Sequence, residues 1–430
     1  MKKPSKSTNT SRESCTYTRG RGSLRLLYHT RGQTIVSLWN VPLADIDLSD
    51  DEIRAVTDVL RSKWLSMGPV TAEFERQFAA MVGVKHAFAV TNCTAALHLA
   101  HWALGAGPGD TVICPSLTFV ATANAIRYTG ATPVFADVTS VENCNISPES
   151  IAACLDATTK GICVVHYGGY PCDMDSIMAL ARRHGLYVVE DVAHAPGAGC
   201  WVTLPGDGQD GGGERVFKQC GNIGDIGCFS FFSNKNLTTG EGGMLTTNDG
   251  ALAERIKLLR SHGMTSLTWD RDRGHTFSYD VTDSGFNYRI DEMRSALGLV
   301  QLRKLEANNQ RRAEAVNRYH EKLAALAGIT LPFAHYEGIS SYHLLPIVLP
   351  ADDQRPGFTE FLKARGIQTS MHYPPIHQFT YYRACTAPVA LPVTEQLGRR
   401  LVTLPLYPHI APQQVDAVVE AVTAWYSQHV

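Results

Sequence analysis

The sequence lacks the features that mark several large classes of protein. Its eleven cysteines are scattered without a CxxC pair, which predicts reduced thiols in a cytoplasm and no metal site. No apolar run reaches the roughly 18 residues that span a bilayer, and no signal peptide is evident at the N-terminus. The 39 basic and 41 acidic residues nearly cancel. We therefore expect a soluble cytoplasmic protein with no nucleic acid and no membrane as partner.

Two catalytic motifs are also missing. The glycines of GNIGDIG (221–227) have the wrong spacing for GxGxxG and precede a predicted strand, which argues against a dinucleotide-binding dehydrogenase. The chain contains no GxSxG, the elbow that a serine hydrolase of the α/β type requires. Any enzymatic activity must therefore use other residues.

The first 34 residues differ in composition from the rest of the chain. They contain eight Lys or Arg and one acid, Glu13, among many Ser, Thr and Gly. They therefore carry a charge of about +7, and about −9 remains on the rest of the chain. This composition predicts a disordered basic tail over residues 1–34, with a transit peptide or an upstream mis-assigned start codon as alternatives.

The remaining sequence predicts an α/β fold with a mostly parallel sheet. Ser49 and Glu52 form a capping box that begins a helix. After it, helical stretches separate the β-rich runs AFAVT (87–91), TVICP (111–115), PVFADV (133–138), GICVVH (161–166), LYVVED (186–191) and GCFSFF (227–232). Such alternation is typical of βαβ units. We expect a large domain over 35–290 and a smaller C-terminal α/β domain over 291–430. PGDGQDGGGE (205–214) is a predicted loop.

Three predicted strand ends carry residues with chemical potential, and ligands of parallel sheets bind at such ends. Thr94 stands at the start of a helix, Asp191 ends a strand, and Lys235 follows the last of the six runs. Taken singly, Thr94 and Asp191 could merely cap helices, and Lys235 could be a surface charge.

Together these residues match the needs of pyridoxal phosphate. A lysine amine condenses with the aldehyde, a carboxylate keeps the pyridine nitrogen protonated, and a helix N-terminus holds the phosphate. Gly240, Gly242 and Gly243 would let the backbone approach a flat ring. The combination predicts that Lys235 carries the cofactor.

Several segments resemble the nucleotide-sugar aminotransferases of the DegT/StrS type over about residues 40–430. The segments are KWLSMGPVTAEFE, TNCTAALHLA, PSLTFVATANAI, VVHYGGYPCDMD, VVEDVAHAPGA, GDIGCFSFFSNKNLTTGEGGM, GFNYRIDEMRSALG, HYPPIHQ and LPLYPH. The resemblance implies the fold of type I aspartate aminotransferases, with a mostly parallel seven-stranded sheet and a smaller C-terminal domain. It also implies pyridoxal 5′-phosphate as cofactor and a homodimer with shared active sites. The implied substrates are L-glutamate and a nucleotide-linked keto-sugar, with a 4-keto-6-deoxy sugar the first choice.

The resemblance also assigns roles to individual residues. Lys235 would be the catalytic lysine. The residues implied to bind the cofactor with it are Thr94, Ala95, Phe119, Asp191, His194, Ser230 and Asn287, the last in the neighbouring subunit's site. Arg289, Tyr373 and His377 are candidates for substrate contact, although His377 could be structural, and Asn287 and Arg289 could only satisfy local backbone.

Two other functions remain open within the same family. Some members are regulators or sensors that bind the cofactor without catalysis, and the intact lysine, aspartate and serine argue against this reading. A dehydratase branch has histidine in place of the lysine, and Lys235 argues against that branch. Cys93, where many relatives have glycine, and the long loop from Cys200 to Gly221 depart from the family pattern.

Overall fold

The structure is a computed structural model that describes residues 15–20, 23–30, 33–34, 39–204, 213–265 and 278–429. The chain divides into two compact units, Met1–Asn40 and Val41–Val430. Most of the predicted loop 205–214 lies outside the described residues. Within the described part of the chain, no helix is both long enough and apolar enough to cross a membrane.

The first unit contains three short strands in a segment predicted to be disordered. They are β1 (Cys15–Gly20), β2 (Ser23–Thr30) and β3 (Gln33–Thr34), and they form an antiparallel sheet in the order β1-β2-β3. Runs such as SLRLLYHT combine apolar and aromatic residues that favour strands, which the overall basic composition obscured. Residues 1–14 lie outside the described residues, so disorder there stays a prediction.

The second unit is built on a seven-stranded sheet, as the family resemblance implies. Its strands are β4 (His86–Val90), β5 (Thr111–Pro115), β6 (Thr132–Ala136), β7 (Thr159–Val165), β8 (Tyr187–Asp191), β11 (Ile226–Ser230) and β12 (Gly243–Thr247). The order is β4-β12-β11-β8-β7-β5-β6, and only β12 runs antiparallel to its neighbours. A separate hairpin joins β9 (Gly199–Thr203) to β10 (Arg215–Gln219). The expected α/β fold is confirmed.

The helices of the second unit lie on both faces of this sheet and in the C-terminal part of the chain. In chain order they are α1 (Asp50–Ser62), α2 (Pro69–Val82), α3 (Cys93–Ala103), α4 (Ala121–Tyr128), α5 (Pro148–Ala153), α6 (Met174–His184), α7 (Gly250–Leu259), α8 (Glu292–Leu323), α9 (Gln354–Lys363), α10 (Thr380–Cys385), α11 (Pro392–Arg400) and α12 (Pro412–His429). The predicted capping box of Ser49 and Glu52 begins α1. Helix α3 is buried along nearly its whole length, so its N-terminus is held firmly at the edge of the sheet where β4 ends.

The C-terminal part adds a two-stranded antiparallel sheet of β13 (Leu345–Val348) and β14 (Leu401–Leu404). Apolar residues of α8 and α12 pack against it. Helix α12 buries Val415, Val418, Val419 and Val422, as the valine spacing predicts. The domain boundary at residue 290 remains a prediction.

Candidate active site

A cavity of about 670 Å³ lies at the ends of β4, β8 and β11. This is where a parallel sheet presents its loops to a ligand. Of the residues predicted from the sequence, those that line the cavity are Thr94, Ala95, Phe119, Asp191, His194, Ser230, Lys235 and Tyr373. The fold therefore brings most of the predicted site together from segments far apart in the sequence.

Lys235 lies in a tight turn that follows β11. The Lys235 backbone N–H donates to the carbonyl of Phe232, and the Phe231 N–H donates to the carbonyl of Gly242, so the turn is tied back on itself. The surrounding chain desolvates the amine, which lowers the pKa of Lys235 to about 8, while the negative charge of Asp191 opposes this shift. About a tenth of the amine is therefore neutral at pH 7, far more than for a lysine with the ordinary pKa.

Asp191 is buried at the end of β8, beside β11 in the sheet. Thr122 donates its hydroxyl to Asp191 Oδ2 at 2.8 Å, and the Ala193 N–H donates to Oδ1 at 3.1 Å. Burial raises the pKa of Asp191, and these two hydrogen bonds and the charge of Lys235 act in the opposite direction. A buried carboxylate in this setting favours a cationic partner within the cavity.

His194 is buried and faces both a glycine backbone and a tyrosine. The Gly168 N–H donates to His194 Nδ1 at 3.3 Å, so Nε2 carries the ring hydrogen and donates it to the Tyr373 hydroxyl at 3.0 Å. Burial and the charge of Lys235 hold the pKa of His194 well below its ordinary value. Tyr373 also contacts Phe119, with ring centroids 5.9 Å apart. His194 is thus a neutral group that orients Tyr373 at the cavity wall.

The N-terminus of α3 forms another side of the cavity. Asn92 caps the helix by accepting the Ala95 N–H at 2.8 Å, so this N–H, expected to hold phosphate, has a partner within the chain. The hydroxyls of Thr94 and Ser230 face the same cavity. A methyl group on Gly243 would lie 2.6 Å from the carbonyl of Asn92, so this glycine lets β12 approach the cap closely.

Comparison with known proteins agrees with this geometry. The profile of the DegT/DnrJ/EryC1/StrS aminotransferase family matches residues 46–423. The chain belongs to this family. Family membership, together with the solved neighbours, makes the chain a pyridoxal-phosphate-dependent sugar aminotransferase of nucleotide-sugar biosynthesis.

The relatives include proteins with named roles. Spore coat polysaccharide biosynthesis protein SpsC of Bacillus subtilis is 42% identical over 384 residues, which cover 87% of this chain and 94% of SpsC. Helicobacter pylori PseC, an aminotransferase of pseudoaminic acid biosynthesis, has a TM-score of 0.81 at 29% identity, covering 90% of this chain and 99% of PseC. DesV of S. venezuelae, solved with a ketimine intermediate, has a TM-score of 0.80 at 34% identity, covering 90% and 98%.

Three residues that the sequence predicted for the site lie outside the cavity of this chain. His377 hydrogen-bonds through Nδ1 to Ser116 at 2.8 Å and lies 3.4 Å from a carboxylate oxygen of Glu395. Arg289 donates to the Ser261 hydroxyl at 2.9 Å, and Asn287 is exposed on the surface of the chain. Within the described residues, none of these three side chains lines the cavity.

Several lining residues escaped the sequence analysis, among them Tyr288, Phe232, His343 and His372. Tyr288 sits between Asn287 and Arg289 in an extended segment that bridges to Ser261 on one side and to Val90 on the other. Successive side chains of extended backbone point to opposite sides. That alternation, visible in GFNYRI, could have identified Tyr288 as the inward residue.

One buried cluster could in principle bind a metal. His166, Glu190 and Cys220 place one ligand atom each within 4.8 Å of one another. However, Glu190 already accepts the N–H groups of Gly221 and Gly224, and His166 Nε2 lies 3.0 Å from Glu190 Oε2. These contacts satisfy the buried carboxylate within the chain, which accounts for the cluster as a structural element.

Proposed function

We propose that the protein binds pyridoxal phosphate at Lys235 and transfers an amino group from L-glutamate to a nucleotide-linked keto-sugar. A 4-keto-6-deoxy sugar is the first candidate substrate. The observation that carries the proposal is the meeting of Lys235 and Asp191 in one cavity: Asp191 ends β8, and Lys235 lies in the turn that follows the neighbouring strand β11. Membership of a sugar aminotransferase family supports the same reaction.

The donor set of the cavity fits this cofactor. Thr94 and Ser230 present hydroxyls beside the N-terminus of α3, where the helix dipole favours a phosphate group. Asp191 supplies a buried carboxylate suited to a protonated pyridine nitrogen, and Phe119 supplies an aromatic face. When bound, pyridoxal phosphate supplies a reactive aldehyde carbon and a ring that accepts electrons.

Lys235 and Asp191 have complementary tasks in the proposed reaction. With a pKa of about 8, the Lys235 amine can act as a nucleophile, take a proton as a base and return it as an acid. Asp191, oriented by Thr122, keeps its negative charge directed into the cavity and so stabilises positive charge there. His194 and Tyr373, joined by their hydrogen bond, form part of the cavity wall.

The mouth of the cavity suits a substrate larger than an amino acid. Phe119 and Phe232 are 57% and 45% exposed, although both also line the cavity. Their rings offer apolar surface, and the Tyr373 hydroxyl offers a hydrogen bond to a sugar. Glutamate and the keto-sugar must both reach Lys235, so one site serves both halves of the reaction.

We also propose that the protein is a homodimer with shared active sites. Asn287 is exposed on the side of its segment opposite Tyr288, which lines the chain's own cavity. In the proposed dimer, Asn287 reaches the cofactor phosphate of the neighbouring chain, and Arg289 faces the anionic substrate there. This arrangement gives both residues a function that their own chain's cavity does not require.

Purified protein tests the substrate proposal directly. It is incubated with L-glutamate and a panel of nucleotide-linked 3-keto and 4-keto sugars, and 2-oxoglutarate formation is followed. We expect release with at least one 4-keto-6-deoxy sugar. Release with only 3-keto sugars would correct the sugar, whereas the absence of release from a protein that holds the cofactor would contradict the transfer reaction.

The cofactor site is tested separately by borohydride reduction of the cofactor-loaded protein and peptide mapping. We expect the reduced cofactor on the peptide that contains Lys235. A label on another lysine, or no label after incubation with pyridoxal phosphate, would overturn the assignment.

A further inference from the structure

His343 is a buried residue next to Lys235 that the proposed reaction does not use. It precedes β13 and lines both the main cavity and a second cavity of about 20 Å³. Its backbone N–H donates to the carbonyl of Gly168 at 2.9 Å, which fixes its position beside the segment that contacts His194. The sequence SYHLLPIVL indicates only a strand here, so the histidine needs a separate explanation.

A hydrogen-bond chain links His343 to the residue that follows Lys235. Asn236 Nδ2 donates to Asn309 Oδ1 at 2.8 Å and to the Ser341 carbonyl at 2.6 Å. Both amide hydrogens are therefore used, and Asn236 Oδ1 must act as an acceptor. His343 Nδ1 lies 2.9 Å from this oxygen, so Nδ1 carries the hydrogen and donates it.

The ring of His343 also stacks on His194. Their centroids are 4.6 Å apart and their planes differ by 29°. The close approach of these segments leaves no room for a side chain at Gly169, where a methyl group would lie 3.0 Å from the His194 carbonyl oxygen and 2.4 Å from Ser341 Oγ. One imidazole thus contacts both the turn of Lys235 and the residue that orients Tyr373.

We propose that His343 is a positioning residue for Lys235, which it holds in place through the hydrogen bond from Nδ1 to Asn236. The stack on His194 ties the same ring to the segment that follows β8. The inference rests on the proposed function only for the catalytic role of Lys235. The contacts of His343 are independent of the reaction.

The consequence of this anchor is a desolvated amine. The titratable groups whose charges act on Lys235, or are acted on by it, are Asp191, Cys93, His194, His343 and His372. Burial is the largest influence on Lys235 and lowers its pKa to about 8. If the anchor is lost, the turn loosens, water reaches the amine, and the pKa of Lys235 rises towards its ordinary value.

Three substitutions test separately the contributions of Nδ1, Nε2 and the aromatic ring of His343. His343→Asn places an amide nitrogen near the position of Nδ1 and keeps a donor for Asn236. His343→Gln places its amide near the position of Nε2 and loses that donor. His343→Phe keeps an aromatic ring against His194 without any hydrogen bond, and the cavity of about 20 Å³ beside the ring leaves room for the added atom.

The experiment measures the reactivity of Lys235 in cofactor-free protein. Acetic anhydride labels the protein between pH 6 and pH 11, and mass spectrometry of peptides follows Lys235 and, as an internal control, the exposed Lys363. Wild-type Lys235 should be half-maximally reactive near its pKa of about 8. His343→Phe and His343→Gln should shift this midpoint upward by about half a pH unit or more, whereas His343→Asn should retain it.

Asn236→Ala tests the same link from its other end if a His343 variant does not fold, which circular dichroism would detect. It should shift the Lys235 midpoint at least as far as His343→Phe does, because it also removes the bonds to Asn309 and to the Ser341 carbonyl, and Lys363 should be unchanged. The proposal would be overturned if His343→Phe and Asn236→Ala both kept the wild-type midpoint of Lys235. It would also be overturned if His343→Gln kept that midpoint and His343→Asn shifted it. Labelling needs neither cofactor nor substrate, so its outcome is independent of whether the proposed transfer reaction is correct.

Discussion

The two kinds of wall around the cavity differ in how their side chains are directed. The strand-end wall consists of Asp191, the last residue of β8, and Lys235, in the turn that follows β11. Both strands are buried and are paired with each other. The irregular wall consists of the segments 285–290 and 371–378, which lie outside the strands and α-helices and of which the second ends in a 3₁₀ turn at Ile376–Gln378. Isolated bridges, side chains and loop hydrogen bonds hold both segments. In the strand-end wall the sheet fixes the direction of Asp191 and the start of the turn that contains Lys235. In the irregular wall the direction of the side chain changes from one residue to the next.

The difference has a functional meaning. The strand-end wall presents the charged pair of Lys235 and Asp191, whose electrostatics depend on burial and rigid geometry. The irregular wall contributes Tyr288 and Tyr373 to the chain's own cavity and leaves Asn287 exposed. We therefore expect substitutions in the strand-end wall to cause the largest losses of activity. Substitutions in the irregular wall should show which of its residues act in their own chain's site, which act in a second chain's site, and which affect only stability.

The largest effect should follow from Lys235→Ala, which removes the amine from the strand-end wall. We expect turnover with glutamate to fall below detection, because among the described residues no other side chain that lines the cavity has an amine. Lys235→Arg keeps the positive charge but cannot lose its proton, and it should be equally inactive. Lys257→Ala, on the exposed surface of α7, is the matched control and should be unaffected. Turnover by Lys235→Ala would contradict the assignment.

Asp191→Asn should have the next largest effect. The amide keeps the shape of the side chain but loses the charge that stabilises a cation in the cavity, so kcat should fall about a hundredfold or more. Asp225→Asn is the control, because the exposed Asp225 also accepts a backbone N–H, from Val188 at 2.7 Å, and within the described residues it does not line the cavity. Equal losses in the two variants would mean that Asp191 acts through stability alone.

The strand-end wall was also the part of the molecule that the sequence could predict. Apolar runs identified six of the seven strands, and the residues at their ends then met in space. The strand β12 (Gly243–Thr247) was missed because it follows a glycine-rich stretch that was interpreted as an approach to a flat ring. In the structure, Gly243 begins this strand and allows close contact with Asn92 and Cys93.

The irregular wall could not be predicted to the same extent, for a physical reason. No periodicity in HYPPIHQ states which residue faces the cavity, and tertiary contacts alone turn Tyr373 inward and His377 towards Ser116. His343 was missed for the opposite reason, because strand periodicity gave its segment a sufficient explanation. Its partner Asn236 is distant in sequence, and a hydrogen bond across such a distance leaves no local pattern.

A subunit-mixing experiment tests whether the irregular segment 285–290 serves a second chain. Lys235→Ala and the double variant Asn287→Ala with Arg289→Ala should each be nearly inactive. In a mixed dimer with shared sites, one site carries both defects and the other carries neither, so activity should recover to about half of the wild-type value per mixed dimer. Native mass spectrometry would confirm that subunits have exchanged. Confirmed exchange without recovery would contradict the shared-site proposal.

The smallest effects should separate two residues of the same loop, Tyr373 and His377. Tyr373→Phe removes the hydroxyl that accepts the His194 Nε2–H at 3.0 Å, and leaves that buried donor unpaired at the cavity. The loss of about one hydrogen bond predicts a decrease in kcat/KM of about tenfold. The variant should fold normally, because its ring still packs against Phe119.

His377→Ala should give the reverse result. His377 contacts Ser116 and Glu395 and does not line the cavity within the described part of the chain, so its removal should cost about 1–3 kcal/mol of unfolding free energy. The activity of each folded molecule should stay within about twofold of the wild type, since no contact of His377 reaches the Lys235 wall. Thermal denaturation and activity normalised to the folded fraction, measured on both variants, distinguish the two roles. A tenfold loss of normalised activity in His377→Ala would contradict this expectation. It would show that His377 acts on the substrate although it does not line the cavity of its own chain.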